Sequence, residues 1–69
     1  MSAKLRRKAL ELLSESPLTL KEVAEALDIS EKRAFKVLRY LFEKGLIDSF
    51  KDEEGRRRYR ASKSGSTTL

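Results

Sequence analysis

Neither cysteine nor histidine occurs among the 69 residues. The first absence excludes a disulfide framework, a zinc knuckle and a thiol nucleophile. The second removes the imidazole base and any histidine-based switch near neutral pH. Asparagine, glutamine and tryptophan are missing as well, and proline occurs once. No apolar run approaches the roughly 18 residues needed to span a bilayer. The opening Met-Ser-Ala-Lys has no apolar signal core, and Ser2 is not the glycine that myristoylation requires. A soluble, cytoplasmic protein with no membrane partner is therefore expected. Hydrophobic and charged residues are equally abundant at 39% each, which suits one small folded domain rather than a disordered chain.

Charge is plentiful but uneven. Sixteen Lys and Arg stand against eleven Asp and Glu, a net charge of +5 that favours an anionic partner. Residues 1–29 hold five cations and five anions, whereas residues 30–69 hold eleven and six. The entire excess lies in the second part of the chain. Abundant Lys, Arg and Glu without Asn, Gln or Cys is a bias shared by hyperthermophile proteins and by idealised designed ones.

Apolar spacing predicts three helices. The first runs from Ser2 to about Ser14 with a stripe of Leu5, Ala9, Leu10, Leu12 and Leu13, and Ser16-Pro17 stops it. Thr19 and Glu22 have the T-x-x-E spacing of a capping box, followed by Leu20, Val23, Ala24 and Leu27 at helical intervals. Asp28-Ile29-Ser30 is a tight connection, with Ser30 as N-cap of the third helix. That helix, Glu31 to Lys44, gathers Ala34, Phe35, Val37, Leu38, Leu41 and Phe42 within an arc of about 160°. Its opposite arc carries Lys32, Arg33, Lys36, Arg39 and Tyr40 with the single acid Glu43. Gly45 follows as the left-handed residue that ends a helix. Phe35 and Phe42 lie on one margin of the apolar arc and are expected to pack against the first helix or the hairpin.

A two-stranded hairpin comes next. Leu46–Lys51 reads as a strand, Asp52-Glu53-Glu54-Gly55 as a turn and Arg56–Ala61 as the return strand. With Tyr59, Arg57 and Ala61 facing inward, Arg56, Arg58 and Arg60 share the solvent face. Leu46 and Ile47 bring the chain back to the core, and residues 62–69, rich in Ser, Thr and Gly, read as a loose tail after a domain of residues 1–61. The fold class is α+β, mostly helical.

Two short helices joined by a few residues, the second basic outside, form a helix-turn-helix. From Thr19 to Ala61 the runs T-L-K-E-V-A-E-A-L-D-I-S and A-F-K-V-L-R-Y-L-F-E-K-G-L-I resemble the winged helix-turn-helix family, whose familiar members are the MarR-type and ArsR-type regulators. The K-G-L-I junction at 44–47 and the spacing of Val23, Ala24, Leu27 and Ser30 carry most of the likeness. The resemblance implies a three-helix winged helix with the 46–61 hairpin as wing, and binding of double-stranded DNA in transcription regulation. Ser62-Lys63-Ser64-Gly65 echoes the start of the fourth, dimerising helix of many members, but the poor helix formers Ser66, Thr67 and Thr68 follow. A homodimer stays open.

In that family the third helix lies in the major groove, which makes Lys32, Arg33 and Lys36 candidates for base edges and Arg39, Tyr40 and Lys44 candidates for phosphates. In the wing, Arg56 and Arg57 suit a minor groove, and Arg58 and Arg60 suit phosphate. The same four arginines also suit pairing with Asp52, Glu53 and Glu54 across the turn, and the two roles are compatible. Without Asn or Gln there is no bidentate adenine contact, so base reading falls to Arg and Lys on guanine and to Ala or an aromatic ring on thymine methyls. No spacing sets a nucleophile beside its base, no glycine-rich loop cradles phosphate, and the acidic turn lacks the alternating ligands of a calcium loop. Neither enzymatic activity, a cofactor, a metal nor a small-molecule ligand is expected. The competing reading is a winged helix serving as a protein-interaction module within a larger assembly.

Overall fold

The capping chemistry written into the sequence is present in three dimensions. The computed structural model describes residues 3–62, so the expected tail lies, from residue 63 on, outside the described residues. The order is α1 (Ala3–Glu15), β1 (Leu18–Thr19), α2 (Leu20–Leu27), α3 (Glu31–Glu43), β2 (Ile47–Lys51) and β3 (Arg57–Ala61). At the start of α2 the Glu22 N–H donates to Thr19 Oγ1 at 3.2 Å, and the Thr19 N–H donates to Glu22 Oε1 at 2.9 Å. The capping box thus satisfies two otherwise orphaned donors. Asp28 ends α2 in the left-handed region at φ 57°, a conformation a short Asp side chain tolerates. Two residues later Ser30 caps α3, its Oγ accepting from the Arg33 N–H at 3.2 Å.

The far end of α3 closes as a Schellman motif. The Leu46 N–H donates to the Leu41 carbonyl at 2.9 Å and the Gly45 N–H to the Phe42 carbonyl at 3.0 Å. Gly45 has φ +74°, where a side chain is disfavoured. This geometry corrects one expectation. Leu46 spends its N–H on the cap but leaves its side chain 39% exposed, and Ile47 alone turns into the core at 2%.

The core is apolar: Ala9 and Leu13 from α1, Val23 and Ala24 from α2, Ala34, Val37, Leu38 and Leu41 from α3, and Ile47 from β2. No polar or charged residue among those described is buried with them. Phe35 and Phe42, expected inside, are about half exposed instead. Val37, Leu38 and Leu41 already face the core from the middle of their arc. The two rings at its margin are left at the gap between α3 and the wing.

The sheet has three strands where two were expected, in the order β1-β3-β2 and antiparallel throughout. The extra strand is the two-residue link before α2, with Leu18 opposite Tyr59 and Thr19 opposite Arg58. The Ser62 N–H donates to the Leu46 carbonyl at 2.8 Å and closes the base of the hairpin. Three helices with a wing confirm the winged-helix expectation, and the wing is sutured to the helix-turn-helix by β1.

Candidate nucleic-acid interface

Sorting the cations by what already holds them separates the candidates. Lys32, Arg33 and Lys36, on the first two turns of α3, are exposed, and among the described residues none of their side chains has an acid partner. Arg39 is also exposed, but its Nε donates to Glu43 Oε2 at 3.2 Å, an i,i+4 pair open to solvent. Such pairs are worth little and are readily exchanged for a phosphate.

Tyr40 belongs elsewhere than the open face. It is half-buried and packs against the core, with the Arg6 guanidinium 4.2 Å above its ring and Lys44 Nζ 5.5 Å away. The ring therefore fastens α3 to α1, and its cation–π partners fix it there. Lys44, the C-cap residue of α3, is within reach of the same ring but is itself exposed.

On the wing the four arginines divide by role. Arg56 falls in the turn, before the strand, with its Nε 3.6 Å from Glu54. Arg57 Nη1 donates to Ser49 Oγ at 2.8 Å, and Arg60 stacks 4.8 Å over the Phe50 ring. All three keep exposed heads. Arg58 does not share that solvent face as expected. Its Nε donates to Asp52 Oδ2 at 2.7 Å and its Nη1 to Glu22 Oε1 at 3.1 Å and to the Pro17 carbonyl at 3.4 Å, leaving the side chain 25% exposed. Both donors are committed inside the molecule. Arg58 ties the wing to the start of α2, and a quarter of its side chain stays exposed.

Asp52 is the other half of that clamp. Its Oδ1 accepts the N–H groups of Glu54 and Arg56, both at 2.9 Å, so one carboxylate shapes the turn that the sequence marks only as acidic. The Arg58 hydrogen bond, aided by the Arg56 N–H, holds the Asp52 carboxyl below the usual carboxylate range against the opposing pull of desolvation. Glu22 is lowered too, first by the Thr19 N–H and then, against desolvation, by the charge of Arg58. Arg58 is raised in turn, chiefly by Asp52.

Carboxylates depressed in the folded state stabilise it above their unfolded pKa and lose that contribution as pH falls through the folded value. Acidification below about pH 4 should therefore loosen the wing turn before the core. The protection of the Glu54 and Arg56 amides relative to their intrinsic exchange rates falls in that range while Leu38 stays protected. Arg58→Met moves the Asp52 titration midpoint upward. Amide exchange NMR checks the first and carboxyl-detected NMR titration the second, and an Asp52 midpoint indifferent to Arg58 refutes the clamp.

Among the described residues no group of three or more His, Cys, Asp or Glu could hold a metal ion, and no helix is long and apolar enough to cross a membrane. The family described as "sugar-specific transcriptional regulator TrmB" matches residues 10–64. Solved structures with the same arrangement include Lactococcus lactis ZitR in complex with DNA, 27% identical with a TM-score of 0.81, covering 93% of this chain and 45% of that one. Staphylococcus aureus MepR, a transcription regulator of the multidrug efflux pump MepA, is 26% identical with a TM-score of 0.79, covering 88% and 47%. The homodimeric winged helix-turn-helix domain of a possible ArsR-family regulator from Mycobacterium bovis matches in fold, at 22% identity and a TM-score of 0.81, covering 93% and 58%. The chain thus spans about half the length of these proteins. No curated protein sequence matches it.

Proposed function

Since the chain belongs to the TrmB family of transcriptional regulators and forms its winged-helix DNA-binding domain, we propose that α3 enters the major groove of a duplex with Lys32, Arg33 and Lys36 at the base edges. The observation that carries this reading is the cluster of three uncompensated cations on the first two turns of that helix. N-terminal turns are where a recognition helix meets bases, and Arg or Lys on guanine is the commonest specific contact. Arg39 and Lys44 lie further along and take phosphates, Arg39 by leaving Glu43. Arg56, Arg57 and Arg60 extend the basic surface over the wing to the flanking backbone or minor groove. Tyr40 and Arg58, candidates by sequence, hold the geometry instead of the nucleic acid.

The domain is residues 1–61. One such module covers a single half-site, and tight specific binding calls for two copies related by a two-fold axis. A winged helix used only as a protein-interaction module has no need of a cationic outer face. Amide shift mapping with a mixed-sequence duplex tests the assignment. The expected shifts fall on residues 30–36 and 55–60, and Lys36→Ala or Arg33→Ala weakens binding and relaxes sequence preference. Shifts confined to α1, or none at low salt, sink it.

A further inference from the structure

We propose that Phe35 reads the C5-methyl group of thymine in the major groove, a contact that rests on the DNA reading above. Phe35 sits on the second turn of α3 and is 49% exposed. It walls a shallow depression of about 410 Å³ together with Leu20, Glu31, Lys32, Lys36 and Arg39. Three cations and one acid surround the ring. On an ideal helix Phe35 lies about 40° around the axis from Arg39 and about 60° from Lys32, so ring and cations share one approach direction.

Charge selects the occupant. A rim with this excess of cations favours a polyanion, and the apolar group that a duplex offers in its major groove is the thymine methyl. The composition points the same way. With no Asn or Gln in the chain, the bidentate contact to adenine is absent, and Arg and Lys select guanine. Direct recognition of an A·T pair then falls to the thymine methyl, and Phe35 is the exposed apolar side chain set among the uncompensated cations. Phe42 provides an internal comparison. It is equally exposed at 51% but lies two turns on: it shares with Phe35 a groove of about 280 Å³ under the wing, beside Ser49, Arg57 and Tyr59, and takes no part in the depression lined by Lys32 and Lys36.

The test removes the methyl rather than the base pair. Duplexes are selected by the full chain from a randomised pool at low salt, and the enriched duplex is remade with uracil in place of thymine. The uracil form should bind about fourfold more weakly for each contacted methyl, the factor expected when one buried methyl is lost. Phe35→Ala should bind both forms alike, and Phe35→Leu should keep part of the difference. Phe42→Ala should discriminate as the unaltered chain does, and circular dichroism verifies that each variant is folded. Equal binding of the two forms by the unaltered chain, or a difference that survives Phe35→Ala, overturns the proposal while leaving DNA binding intact. Failure to enrich any duplex overturns the DNA reading, and the methyl contact with it.

Discussion

Raising salt from about 50 to about 200 mM weakens binding to a duplex roughly a thousandfold. Each phosphate neutralised by a cation releases counterions, and log K falls with log salt at about 0.9 per neutralised phosphate. Nine cations on α3 and the wing keep exposed heads or pairs open to solvent: Lys32, Arg33, Lys36, Arg39, Lys44, Lys51, Arg56, Arg57 and Arg60. Engagement of roughly six gives that loss. The slope also separates two kinds of arginine. Arg57→Ala removes a contact and lowers the slope by about 0.9. Arg58→Met weakens binding at every salt while leaving the slope nearly unchanged, because the clamp to Asp52 and Glu22 acts by holding the wing. Fluorescence anisotropy at four or more salt concentrations reads both. A slope near zero in the unaltered chain contradicts the assignment of these cations to phosphate.

Leu38→Ala removes most of the stability of the fold at 25 °C. Leu38 is 1% exposed and sits at the centre of α3, facing the core from the helix whose outer side carries the candidate cations. Truncating a buried leucine costs about 2–5 kcal/mol, from the lost transfer energy and the cavity left behind. A domain of this size has a total stability on the order of 5 kcal/mol, so the upper part of that range exhausts it. Phe35→Ala, by contrast, removes a half-exposed ring and costs about 1 kcal/mol. Urea unfolding followed at 222 nm distinguishes them. A Leu38→Ala chain with a midpoint near that of the unaltered protein would mean that the α3 core packs less tightly than its burial implies.

What the sequence made legible was local. Thr19 with Glu22, Ser30 with Arg33 and Gly45 after α3 each act within about one helical turn, so their spacing alone predicts the caps that form. The apolar rows that build the core obey the helical repeat for the same reason. Legibility failed where a partner lies far along the chain. Leu18–Thr19 is too short to show any strand pattern, and it pairs only because Tyr59 and Arg58 arrive beside it. Arg58 is one of four arginines between residues 56 and 60, and Glu22, which sets it apart, is 36 residues away. Tyr40 looked exposed on a helical projection that knows nothing of Arg6. Phe35 and Phe42 looked buried on a projection that knows nothing of where the wing stops. The basic outer face of α3 was readable because charge periodicity on a helix is local, whereas which of its cations stay uncommitted depends on tertiary pairing.

The strand order carries a kinetic consequence. β3 lies between β1 and β2, so the last strand in chain order is the middle of the sheet. The helices close through short loops, which are cheap in entropy and fast. The sheet must wait, since Leu18 finds its partner 41 positions later at Tyr59. During synthesis the helix-turn-helix can thus condense while both outer strands still lack a neighbour. Arrival of Arg57–Ala61 then supplies the partner of both outer strands and brings Arg58 to Asp52 and Glu22. A chain halted before residue 57 forfeits the whole sheet rather than one edge of it. It would leave the ribosome as a helical trio with a basic helix and nothing to hold its flank.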